Sequence, residues 1–66
     1  MKQRKQVVKK GTKIVVGDFV LEADSVVSSV GQYSNLEGGS MVVKFKNGKS
    51  ETYYDDDLVV VNTLIN

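Results

Sequence analysis

The stretch Met41-Val42-Val43-Lys44-Phe45-Lys46-Asn47-Gly48-Lys49-Ser50-Glu51-Thr52-Tyr53-Tyr54 decides the fold. From Met41 to Lys46 apolar and charged side chains alternate, the period of a half-buried strand. Asn47-Gly48 suits a two-residue type I′ turn, because both central residues of that turn need positive φ. Such a turn pairs Lys46 with Lys49, Phe45 with Ser50, Lys44 with Glu51 and Val43 with Thr52. One face of the hairpin then carries Met41, Val43, Phe45, Thr52 and Tyr54 toward the core. The other presents Val42, Lys44, Lys46, Lys49, Glu51 and Tyr53 to water. Lys44 opposite Glu51 is a favourable cross-strand pair, and Lys46 opposite Lys49 a mildly unfavourable one.

Downstream, Asp55-Asp56-Asp57 reads as a tight acidic turn into Leu58-Val59-Val60-Val61, a strand apolar on both faces. Such a run calls for cover on two sides, either in the middle of a sheet or in closing a barrel. Upstream, Gly31–Ser40 is turn-rich, Ser25–Val30 and Phe19–Ala23 read as strands, and Gly17-Asp18 marks a turn or bulge. Val7-Val8 and Lys13–Val16, joined by Lys9-Lys10-Gly11-Thr12, form either a further hairpin or a flexible lead-in, and residues 1–6 read as a disordered tip. Five short strands in about 50 residues predict a small closed barrel, which removes the sticky edges of a valine-rich sheet. The expected organisation is a basic, partly disordered N-terminal arm over 1–13 and an all-β barrel over 14–66.

Composition sets the boundaries of this reading. The chain has 66 residues, enough for one domain near the lower limit for unassisted folding. It lacks Cys and His, so neither a disulfide nor a structural zinc site can staple it. Thirteen valines and two isoleucines supply β-branched core material, and the absence of Pro beside six Gly fits short strands joined by glycine turns. The longest apolar run has four residues against the roughly 20 that span a bilayer, so a soluble, cytoplasmic protein with no membrane association is expected. The net charge of +1 conceals an asymmetry: residues 1–13 sum to +6, and residues 14–66, with three lysines against eight acids, sum to −5.

Val16-Gly17-Asp18-Phe19-Val20, Val43-Lys44-Phe45-Lys46-Asn47-Gly48 and Asp56-Asp57-Leu58-Val59 together resemble the layout of a small SH3-like barrel of the Tudor and KOW kind, over Val16 to Asn62. The resemblance implies a five-stranded SH3-like barrel acting as a binding module. The methyl-cation cage of Tudor domains does not carry over. Phe45 stands where one cage ring belongs, but Ala23-Asp24 and Asn47-Gly48 bring no others, and the glycine-rich KOW signature is missing. An OB-like barrel using Val7–Val16 as true strands is the alternative architecture.

The chemistry-bearing residues are few. Without His or Cys, the commonest general base and the best nucleophile are both absent, and Gly38-Gly39 is not followed by the Lys of a phosphate loop. No catalytic residues, cofactor or metal are therefore expected. Asp55-Asp56-Asp57 cannot converge on one cation from consecutive positions. Lys2, Arg4, Lys5, Lys9, Lys10 and Lys13 could neutralise phosphates, with Lys44, Lys46 and Lys49 extending the track onto the hairpin and Tyr53 supplying a stacking ring on the same face. Tyr33 lies in the long turn. The leading expectation is sequence-tolerant nucleic-acid contact through these groups. The rival is a protein-directed or homo-oligomeric module using an apolar patch of Val42, Tyr53, Leu64 and Ile65, with the arm as a tail or strand donor.

Overall fold

The computed structural model describes residues 3–31 and 38–65, with Ile65 described by its backbone only. These residues form six strands: β1 (Gln3–Lys10), β2 (Phe19–Val20), β3 (Ser25–Val30), β4 (Ser40–Phe45), β5 (Ser50–Tyr54) and β6 (Leu58–Ile65). A 3-10 turn over Gly11–Lys13 follows β1. All pairings are antiparallel, and the sheet order is β1-β6-β2-β3-β4-β5. The all-β expectation holds, but the count is six strands and the barrel is not closed. Among the described residues β1 pairs only with β6, and β5 only with β4. Closure would need a ladder between those two edges. The 3-10 turn lies in that seam instead, packed on β4 and β5, with the Gly11 amide donating to the Asp57 carbonyl at 2.9 Å.

Residues 1–13, set apart above as an arm, contribute β1 and the 3-10 turn to this same sheet. β1 pairs along its whole length with β6, from Gln3 opposite Ile65 to Lys10 opposite Leu58. Val7 packs against the core; Ile14–Val16 form no strand. The expected strand from Phe19 to Ala23 stops at Val20. There Leu21–Asp24 turn, with Asp24 at φ +52° and its amide donating to the Leu21 carbonyl. Asp tolerates that left-handed conformation better than most residues. Ser25–Val30 is a strand as expected, with a bulge between Val27 and Ser29.

The hairpin forms where expected but one residue out of phase. Only Gly48 has positive φ (+90°); Asn47 does not, which excludes a type I′ turn. Lys46-Asn47-Gly48 make a three-residue loop, closed by the Gly48 amide on the Phe45 carbonyl (3.1 Å) and the Phe45 amide on the Lys49 carbonyl (2.9 Å). The ladder therefore runs Lys44 opposite Ser50, Val43 opposite Glu51, Val42 opposite Thr52, Met41 opposite Tyr53 and Ser40 opposite Tyr54. A slip of one residue turns every side chain of β5 over. Tyr53 is the core residue, at 5% exposure, and Tyr54 stands outside at 39%, with Thr52 exposed as well. Asn47 selects the longer loop. Its side-chain amide donates to the Ala23 carbonyl, its backbone amide to Ser25 Oγ, and its Oδ1 accepts from the Lys49 amide.

The core comprises Ile14, Val20, Ala23, Val27, Met41, Val43, Phe45, Tyr53, Val59 and Val61. Burying side chains of this size stabilises a fold by roughly 1.5–3 kcal/mol each. β6 lies between β1 and β2, centrally as its composition suggested, yet only one of its faces is covered: Val59 and Val61 point inward, while Leu58 and Val60 point out.

Candidate functional site

The uncovered face of β6 is built by register. Val8 sits opposite Val60, Lys10 opposite Leu58, Gln6 opposite Asn62 and Arg4 opposite Leu64, all on the side away from Val59 and Val61. Phe19 of β2 pairs with Asn62 on that side, and the Leu21 amide donates to the Val60 carbonyl at 3.2 Å. An apolar row results, with Leu58 at 74%, Val8 at 60% and Leu64 at 49% exposure, and Val60 and Leu21 beside it. Arg4, Phe19, Val26 and Asn62 line a shallow depression of about 280 Å³ at one end. Arg4 and Lys10 bracket the row. The sequence signal for this face was the double-sided apolar character of Leu58–Val61; Val8, Leu58, Val60 and Leu21 were not among the candidate site residues.

The expected cations separate into groups. Lys9 turns inward, and its ammonium donates to Asp18 Oδ2 at 2.7 Å, the sole ion pair among the described residues. Arg4, Lys5, Lys10 and Lys13 are exposed on β1 and the 3-10 turn. Lys44, Lys46 and Lys49 are exposed on β4 and the hairpin tip. The Lys46 amide donates to the Val26 carbonyl; Val26 lies opposite Phe19, which lies opposite Asn62, and these three line one depression with Arg4. Lys2 and Tyr33 lie outside the described residues, as does the Ile65 side chain. Tyr53 is removed from both candidate sets by the register, since its ring is in the core. Val42 is exposed on β4 and Leu64 on β6, with β2 and β3 between their strands, so the proposed patch of Val42 with Leu64 is not contiguous.

Asp18 is the one fully buried charge in the described residues, at 2% exposure. Burial alone would push its carboxyl up. Hydrogen bonds from Lys9, Thr63 and the Val15 amide, with the Lys9 charge, more than offset this and hold it below the ordinary 3.8. It thereby ties β1, β6 and the segment before β2 together. Tyr53 Oη donates to Glu22 Oε1 at 2.8 Å at the rim of a 160 Å³ depression lined also by Ala23, Lys49 and Glu51. Burial first, then that hydrogen bond and the charges of Glu22, Glu51 and Asp57, push the Tyr53 phenol well above its usual 10. In the acidic turn, Asp57 Oδ2 accepts from the Tyr54 amide and Asp55 accepts from the Thr12 hydroxyl, so both act in holding the chain.

Among the described residues no group of three or more His, Cys, Asp or Glu is placed to hold a metal ion, and no helix is long and apolar enough to cross a membrane. No protein-family model, curated protein or solved structure matches the chain.

Proposed function

We propose that this chain is a non-catalytic protein-interaction module that works through the outer face of β1, β6 and β2. The observation that carries this reading is the apolar row Leu58, Val60, Val8 and Leu21, exposed on β6, β1 and the turn after β2 and bracketed by Arg4 and Lys10. Scattered surface hydrophobes are ordinary, but a row contiguous across strands in so small a domain marks a contact surface. The resemblance to SH3-like modules supports a binding role without choosing a ligand. Nucleic-acid contact loses one of its supports, because the stacking ring of Tyr53 is enclosed.

The test is a selection of random peptides against the whole chain, with the Val8→Lys variant as counter-target. Val8 is exposed, so the variant keeps the fold. Sequences that bind the parent at least tenfold better than Val8→Lys are the expected result. Failure to enrich any, or equal binding to both proteins, refutes the reading. A single-stranded oligonucleotide whose affinity falls steeply with salt, and only while Arg4 and Lys5 are present, would return the assignment to nucleic acid.

A further inference from the structure

β1 is an eight-residue edge strand, about 26 Å long at the usual rise per residue. It pairs with β6 on one side and with nothing on the other among the described residues. Its ladder to β6 is without a register shift. An uncovered, regular edge of this length is what natural sheets avoid unless something pairs with it.

The charges on that edge discriminate between occupants. Arg4 and Lys10 lie on the outer face with Gln6 and Val8 between them, and Lys5 is exposed on the other face; none of these three cations has an ion pair among the described residues. A second copy of β1 is a poor partner. Antiparallel pairing centred on Val7 sets Arg4 opposite Lys10 twice, and a shift of one register sets Arg4 opposite Lys9. Like charges directly opposite are destabilising. An acidic strand meets the reverse situation at every one of these positions.

We infer that the β1 edge receives an extended acidic segment of another protein by strand addition, with acids opposite Arg4 and Lys10 and an apolar side chain opposite Val8. This deepens the interaction reading above and rests on it: the added strand would carry the apolar row of Val8 and Val60 onto the partner. Main-chain hydrogen bonds supply the attraction in this mode, and the alternate side chains supply the choice.

The experiment uses two pairs of synthetic seven-residue peptides, Glu-Thr-Thr-Thr-Val-Thr-Glu and its reversed order, and the same two with Lys in place of Glu. The whole chain is titrated with each while amide hydrogen exchange is followed. The inference expects one of the Glu peptides to bind and to slow exchange in β1 rather than β5. It expects the Lys peptides to bind about tenfold or more weakly, the size expected when two cross-strand charge pairs change sign. The double variant Arg4→Glu with Lys10→Glu, both sites exposed, should invert the preference. That swap distinguishes a specific pairing from a variant that has merely unfolded. Absence of binding by all four peptides, or equal binding of the Glu and Lys peptides, overturns strand addition; the broader interaction reading is then judged by the Val8→Lys selection alone. Equal protection of β1 by an oligonucleotide of matched charge overturns it too, since phosphate would then satisfy the same cations. Concentration-dependent growth in mass, abolished by the double variant, would make the occupant a second copy of this chain and overturn a foreign partner.

Discussion

Asp18 shows how a single side chain can hold a small sheet together. A carboxylate taken out of water is costly unless donors replace the solvent. Here Lys9, Thr63 and the Val15 amide do so from three separate segments. Replacement by Asn keeps the shape but removes the charge and leaves the Lys9 ammonium unpaired. Removing one partner of a buried pair costs 3–5 kcal/mol, and with about a fifth of Lys9 still exposed we expect about 2–3 kcal/mol from urea denaturation at pH 7. The pH dependence has a definite sign. The folded carboxyl lies below the unfolded value near 3.8, so as the pH falls the unfolded chain takes up the proton first. The stabilisation is complete above about pH 5 and is lost as the pH drops through the folded value. The gap between the parent and Asp18→Asn should therefore shrink in acid. A gap of equal size at pH 7 and well below pH 3 would mean that the charge of Asp18 contributes nothing. The sequence held a hint of this residue, an acid set between Val15-Val16 and Phe19-Val20, but it read as a breaker. Its burial comes from Lys9 and Thr63, far from it in sequence, and no local pattern announces them.

Among the elements, the β4-β5 hairpin shows what a turn motif can and cannot specify. Asn47-Gly48 located the reversal, and the alternation of Met41 to Phe45 fixed which face of β4 is inward. The phase of β5 depended on the loop having two residues or three, and that choice was made by Ala23 and Ser25, which Asn47 grips across the fold. Local sequence therefore sufficed up to Gly48 and failed after it, exchanging Tyr53 for Tyr54. β1 escaped for a related reason. Its charges read as a solvated arm because its pairing partner, β6, lies at the other end of the chain. The loop geometry makes a direct prediction. A Cβ on Gly48 meets nothing within 4 Å, so Gly48→Ala is charged only with the left-handed backbone at φ +90°. That is about 1–2 kcal/mol, and Gly48→Asn should lose less, because Asn tolerates this region. Thermal unfolding of both variants checks the order. Equal stability of parent and Gly48→Ala would mean that Gly48 does not hold a left-handed φ, and would overturn the three-residue loop.

At the level of the whole molecule, the sheet rolls far enough to enclose ten core side chains and stops short of closing. Its two free edges differ in kind. β1 is long, basic and open, whereas the end of β5 is sealed by Gly11, the buried glycine of the 3-10 turn. The basic share of the charge asymmetry thus lies, among the described residues, on the edge strand β1 and the 3-10 turn that follows it. The seam at Gly11 substitutes for the missing β1–β5 ladder and so carries a testable cost. A Cβ there would come within 2.5 Å of the Tyr54 carbonyl oxygen and 2.6 Å of Tyr53 Cβ, atoms that move only if β5 moves. Overpacking of this kind costs about 1–3 kcal/mol, and with main-chain atoms involved we expect Gly11→Ala near the upper end, a fall in Tm of roughly 10–20 °C for a chain of this size. Gly17→Ala is the matched control. Its Cβ meets nothing within 4 Å, and it bears only the left-handed φ of +98°. Hydrogen exchange should show Gly11→Ala losing protection first in β5, beside the seam, while β3 keeps it. If the two alanine variants melt together, the 3-10 turn does not seal the sheet, and β5 must be counted a second open edge, free to accept a strand as β1 is.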